Sequence, residues 1–172
     1  MGMTIIEGLK QLRLIEKRIE KNNTEIKKYS SLLSIEKPYF ESEAAQKQEV
    51  VNLIKSNHDL ATQYEKIKEQ IELTNLVTKV EVNGEVKSIS SWLSILRKTG
   101  KLLNATYSSL SGDAATSKML KYREPGTNPT VIRLYDENVK RTGQRKWEDL
   151  VNGTIEGRLE VVNATTELVE LT

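Results

Sequence analysis

No cysteine occurs in the sequence. That excludes disulfides and thiolate metal sites, and it permits a reducing compartment. Histidine occurs once, as His58. One imidazole cannot build a His-Glu-x-x-His zinc site, and no Gly-x-Ser-x-Gly elbow accompanies it for nucleophilic catalysis. Aromatic residues are 5% of the chain, against 29% charged, and the mean hydropathy is −0.50. A compact globule of 172 residues usually carries more large apolar groups. The balance suits long amphipathic helices instead. No apolar run of signal-peptide type opens the chain, because Lys10 and Arg13 interrupt it. No stretch approaches the ~18 uninterrupted apolar residues of a membrane span. The expectation is a protein of the cytoplasm, or of a virion assembled in a host cytoplasm, with no membrane insertion.

Excess charge is also scarce. The net charge is +2. Lys10, Arg13, Lys17, Arg18 and Lys21 are interleaved with Glu7, Glu16, Glu20 and Glu25. Such interleaving reads as a solvated helix face, so no nucleic-acid partner is expected. Glu65, Glu69 and Glu72 sit among Lys66 and Lys68, which reads as ion-paired surface rather than a carboxylate site. The stretch "RKTGKLL" lacks the glycine spacing of a phosphate loop. Catalytic residues, cofactor and metal are all expected to be none, and enzymatic activity is not expected.

What is present is heptad order. Thr4 with Glu7 three positions on forms a candidate capping box. From there Ile5, Leu12, Ile19, Ile26 and Leu33 fall at one core position, and Gly8, Ile15, Asn22 and Tyr29 at the other. Asn22 reads either as a tolerated polar residue or as a register device. Pro38 interrupts, and Ser42 can cap a second helix. In that helix Val50, Asn57, Tyr64 and Ile71 take one core position, and Leu53, Leu60, Ile67 and Thr74 the other. Two heptad helices joined by a short turn predict an antiparallel coiled-coil hairpin.

The segment "TKVEVNGEVKSIS" then breaks the helical pattern. Asn83-Gly84 between valines predicts a β-hairpin. A two-residue turn would pair Val80 with Lys87 and leave no apolar face. A three-residue loop pairs Val80 with Val86, and this register is favoured slightly here. Its own side chains hardly hold such a hairpin, so either Val80 and Val86 contact another part of the protein or another copy, or the segment is a solvated tight turn between helices. A third helix follows, capped by Ser88 or Ser90, with Gly100 as a mild weakness within it. Ser111 to Pro129 is rich in small and breaker residues and predicts a flexible loop. Asn128-Pro129 can start the last helix. Asn152-Gly153 either breaks that helix or lies within it.

The expected fold is therefore mainly α: an elongated helical bundle with a long antiparallel coiled-coil hairpin and one small β-hairpin. It forms a single domain over 1–172. Helices cover 4–34, 42–78, 89–110 and 130–163, with the β-hairpin at 79–88, a flexible loop at 111–129 and a docked tail at 164–172.

The second helix carries Thr74-Asn75 shortly before the turn segment, and the last closes with "NATTEL", Asn163 to Leu168. With the heptad helices, these residues resemble the septicolysin-like family. That is a small bacterial and phage family largely of unknown function, in which Trp commonly follows the Asn where this chain has Ala164. The resemblance implies a coiled-coil protein and a phage or virion origin; no cytolytic activity is carried over. The expected function is a non-enzymatic structural or assembly protein, a self-associating coiled-coil component of a larger particle. The alternative is a helical module that sequesters or inhibits a host protein. The expected partners are further copies and other proteins of the particle. Candidate interaction residues are Val80, Val82, Asn83, Gly84 and Val86 in the hairpin. In the closing motif they are Asn163, Thr165, Thr166, Glu167 and Leu168.

Overall fold

The computed structural model describes residues 2–122 and 126–172. The chain is mainly helical with one two-stranded antiparallel sheet. It divides into two compact units, one formed by 1–77 with 162–172 and the other by 78–161, where length had suggested a single domain.

In the first unit, helices α1 (Ile5–Tyr29) and α2 (Glu43–Val77) pack as an antiparallel hairpin. At 1.5 Å per residue the arms are about 37 and 52 Å long. The Thr4–Glu7 capping box is formed in both directions, and the Ser42 hydroxyl caps α2 by accepting from the Ala45 amide at 3.0 Å. Ile5, Gly8, Leu12 and Ile15 of α1 and Leu53, Leu60, Ile71 and Thr74 of α2 are buried. The heptad reading of both helices thus identifies the seam.

Helix α1 stops at Tyr29, five residues before the expected 34. The Ser30 hydroxyl donates back to the Ile26 carbonyl, and the Gln46 side-chain amide donates to the Tyr29 carbonyl at 2.9 Å. These bonds take up carbonyls that another helical turn would have used. Leu33 consequently lies outside the seam and is 64% exposed.

The second unit opens with β1 (Lys79–Val82) and β2 (Glu85–Ser88). The turn has two residues, so Val80 pairs with Lys87, Glu81 with Val86 and Val82 with Glu85. This corrects the three-residue loop. Asn83 (φ 53°) and Gly84 (φ 85°) both lie in the left-handed region, the requirement of a type I′ turn. Helix α3 (Ile89–Ser94), capped by Ser88, runs through a π-helical turn at Ile95–Thr99 into α4 (Gly100–Ser108).

The expected loop 111–129 contains helix α5 (Asp113–Lys118) and a 3₁₀ turn at Met119–Tyr122. Its Asp-Ala-Ala start is good helix chemistry that the flanking breakers obscured. Part of that loop, 123–125, lies outside the described residues. The last helical region begins at Glu137 rather than 130. Asp136, not Asn128, is the cap, accepting from the Asn138 amide at 2.8 Å. Helix α6 (Glu137–Asp149) passes through a second π-helical turn (Leu150–Thr154) into α7 (Ile155–Thr165). Gly153 leaves helical geometry there, so the helix is kinked at Asn152-Gly153.

Among the described residues of this unit, Val80, Val82, Ile89, Trp92, Leu150, Ile155 and Leu159 are the buried large apolar ones. The π turns place Ile95 with Gly100, and Leu150 with Ile155, through amide-to-carbonyl bonds across five residues. A Cβ at Gly100 would lie 2.7 Å from both the Ile95 carbonyl oxygen and Val151 Cγ2. Gly100 is therefore a close-approach residue rather than a weakness.

Gly143 of α6 is tighter still: a Cβ there would stand 2.3 Å from Tyr107 Cδ1. The ring of Tyr107 occupies the space of a side chain. Gly143→Val should therefore destabilise the second unit by about 2–3 kcal/mol, the upper end of overpacking costs. Chemical denaturation followed by tryptophan fluorescence would measure this. An unchanged midpoint would mean that α4 and α6 do not meet there.

Candidate functional site

The interaction residues read from the sequence fall into two groups, one in each unit. In the hairpin, Val80 and Val82 are buried on one face. Trp92 is itself 1% exposed, and its indole N–H donates to the Val80 carbonyl at 2.8 Å. The Arg158 guanidinium donates to the Glu81 carbonyl at 3.2 Å. Asn83 and Gly84 make the turn. Val86 points the other way and is 64% exposed. The expectation that Val80 and Val86 share one contact is thus corrected: in a two-residue turn they lie on opposite faces, because alternate residues do. Val80 and Val82 are instead buried within the second unit, where Trp92 of α3 bonds the Val80 carbonyl.

The closing motif builds a clasp in the first unit. The Ile5 amide donates to the Thr166 carbonyl at 2.9 Å, and the Leu168 amide donates to the Met3 carbonyl at 2.8 Å. Between them, Thr4 and Glu167 form an isolated antiparallel bridge. The Thr74 hydroxyl accepts from the Val169 amide at 3.0 Å and donates to the Gln70 carbonyl at 2.6 Å. Gly8 admits Leu168: a Cβ there would lie 3.1 Å from Leu168 Cδ1 and 3.2 Å from Ile71 Cδ1. Thr74 and Val169, the residue after the closing motif, thus meet although 95 positions apart. Thr165 is exposed, and its hydroxyl donates to the Val162 carbonyl at 3.5 Å. The side-chain oxygens of Asn75 and Asn163 are buried without a partner among the described residues.

Beside the clasp, Glu7 accepts from the Thr4 amide at 2.7 Å. That bond, with the Thr4 hydroxyl, holds its carboxyl below the usual carboxylate value.

A polar layer crosses the middle of the α1–α2 seam. The Asn22 amide donates to Asn57 Oδ1 at 2.9 Å and to Ser56 Oγ at 3.3 Å, and the Asn57 amide donates to Asn23 Oδ1 at 2.9 Å. The reading of Asn22 as a register device gains a geometry, since the layer is satisfied at one helix alignment. One step on, the Tyr64 hydroxyl donates to Glu16 at 3.1 Å, and that acceptor raises the phenol above its ordinary range. Sequence reasoning missed Asn23 and Ser56, which sit beside the heptad positions rather than on them.

At the turn end, Gln46 is 2% exposed. It also accepts from the Tyr39 amide at 2.9 Å, and Tyr39 and Phe40 pack edge-on against Tyr29. A cavity of about 520 Å³ opens beside them, lined by residues that include Tyr29, Ser34, Gln46 and Val50. Among the described residues no His, Asp and Glu cluster is arranged to hold a metal ion, and no helix is long and apolar enough to cross a membrane.

These features define a mainly helical protein with a long helical hairpin, a terminal clasp and a small β-hairpin. No family model and no curated protein matches the chain. It is similar to a solved structure, that of a functionally unknown conserved protein from Corynebacterium diphtheriae, with 18% identity and a TM-score of 0.58. The match covers 98% of this chain and 100% of that one. At that identity the likeness concerns the fold alone.

Proposed function

We propose that the protein is a non-enzymatic assembly protein that self-associates through its helical hairpin. One observation carries this reading. Along the middle of the seam, Ile19, Ile26, Val50, Tyr64 and Ile67 are only half-buried. Two helices cannot enclose their own seam, and a third and fourth helix from a second copy would complete it. The coiled-coil character implied by the septicolysin-like resemblance, with its phage-particle origin, belongs to the same proposal. Light scattering should give a mass that is a multiple of 19.5 kDa at micromolar concentration. A monomer at every concentration up to the millimolar range would overturn the reading.

A further inference from the structure

Helix α3 runs into α4, and α6 into α7, through a π turn each time. Before each turn the bonding is α-helical. The Ile95 amide donates to the Ser91 carbonyl, and the Leu150 amide to the Lys146 carbonyl, both four residues back. At the turn the ring widens by one residue. The Gly100 amide donates to the Ile95 carbonyl, and the Ile155 amide to the Leu150 carbonyl, both five residues back. Burial keeps the same count. Gly143, Leu150, Ile155 and Leu159 are buried. The intervals of seven and four between them suit one face of a helix, while the interval from Leu150 to Ile155 holds one residue too many. The surplus lies outward. Thr99, Asn152 and Gly153 are exposed, and Gly153 leaves helical geometry.

The two turns also meet. A Cβ at Gly100 would lie 2.7 Å from Val151 Cγ2, so the end of the first turn packs on the second. A π turn is rare within a helix, and it is one of the few features at which helices bend. Two of them in contact put the irregularity of both helices at one level. We propose that the paired π turns are the bending point of the second unit: each holds one surplus residue, and local opening of the unit begins there. The device lies within the second unit and does not depend on self-association.

The bonding fixes what a deletion does. Without Thr99, the Gly100 amide stands four residues from the Ile95 carbonyl. The same two groups then close an α-helical ring, and every later residue of α4 keeps its place. Without Gly153, the Ile155 amide and the Leu150 carbonyl do the same for α7. Ala105 is also exposed but lies inside α4. Its deletion rotates the residues after it by about 100°, which takes Tyr107 away from Gly143.

Native-state hydrogen exchange of the full chain, read residue by residue, tests the proposal. In the wild type the amides of 95–100 and 150–155 should exchange at least ~10-fold faster than those inside α4 and α6. Deleting both Thr99 and Gly153 should bring them to the rate of the flanking helices. The circular dichroism spectrum should stay unchanged, and the denaturation midpoint should equal or exceed that of the wild type. Deleting Ala105 should lower the midpoint sharply. Wild-type protection at the two turns equal to that of α4 and α6 would overturn the bending point. Loss of the folded spectrum on deleting either Thr99 or Gly153 alone would overturn the surplus residue, as would an Ala105 deletion tolerated equally well.

Discussion

Trp92→Ala should destabilise the second unit by about 3–5 kcal/mol, the range for truncating a buried aromatic. Trp92 is among the largest fully buried side chains, and its indole N–H bonds the hairpin at the Val80 carbonyl. A two-stranded hairpin is marginal in water without other support. Removing the indole leaves a cavity in the buried interior of this unit and withdraws the N–H from the Val80 carbonyl. Trp92→Phe keeps most of the apolar area and loses the donor, so it should cost about 1–2 kcal/mol. Hydrogen exchange of the β1 and β2 amides is the direct measurement. Protection should fall sharply in Trp92→Ala and only modestly in Trp92→Phe. Val82→Lys should resemble the alanine variant, while Val86→Lys should leave protection close to wild type. Equal effects of the two lysine variants would restore the three-residue register and sink the facing described above.

The difference between these valines explains what could be read from the sequence. Asn83-Gly84 announces a turn because few residues tolerate a positive φ, and that signal is local. The register was misread because the hairpin was weighed on its own faces. The hairpin is bonded by Trp92, which arrives from the next helix. The seam was legible for the opposite reason. A heptad repeat over several turns is a property of the helix itself, and it held for Ile5, Leu12 and Ile15 and for Leu53, Leu60 and Ile71.

Phase shifts of one residue were invisible. The π turn at Leu150–Thr154 buries Leu150 and leaves Val151 half-buried. The start of the last helix was misplaced because Asn128-Pro129 imitates a cap followed by a first-turn proline. The competing signal was Asp136, whose side chain reaches the Asn138 amide. Of the candidate interaction residues, the closing motif could be located but its role could not. That Thr166 and Leu168 bond to Ile5 and Met3 requires knowing where the termini meet, which no spacing encodes.

Leu60→Asp should cost about 3–5 kcal/mol in the first unit. Leu60 is buried in the seam of the helical hairpin. Its neighbours along that face are Leu53 and, half-buried, Ile67. The substitution removes aliphatic packing and places a carboxylate among apolar side chains with no partner, and both effects act in the same direction. Ion pairing cannot rescue it, because the lysines of α2 lie on the outer helix faces, as the exposed Lys68–Glu72 pair shows. The carboxyl should instead raise its pKa to stay neutral. The sign of the pH effect follows. A folded-state pKa above the unfolded value means that the folded protein binds the proton more tightly, so the penalty is smallest in acid and grows as pH rises past the unfolded value. Thermal melts by circular dichroism, compared with Leu60→Asn across pH 3 to 8, separate the charge from the lost packing. The two variants should converge at low pH and diverge at high pH. A Leu60→Asp melt that matches wild type at neutral pH would remove Leu60 from the seam, and the antiparallel register with it.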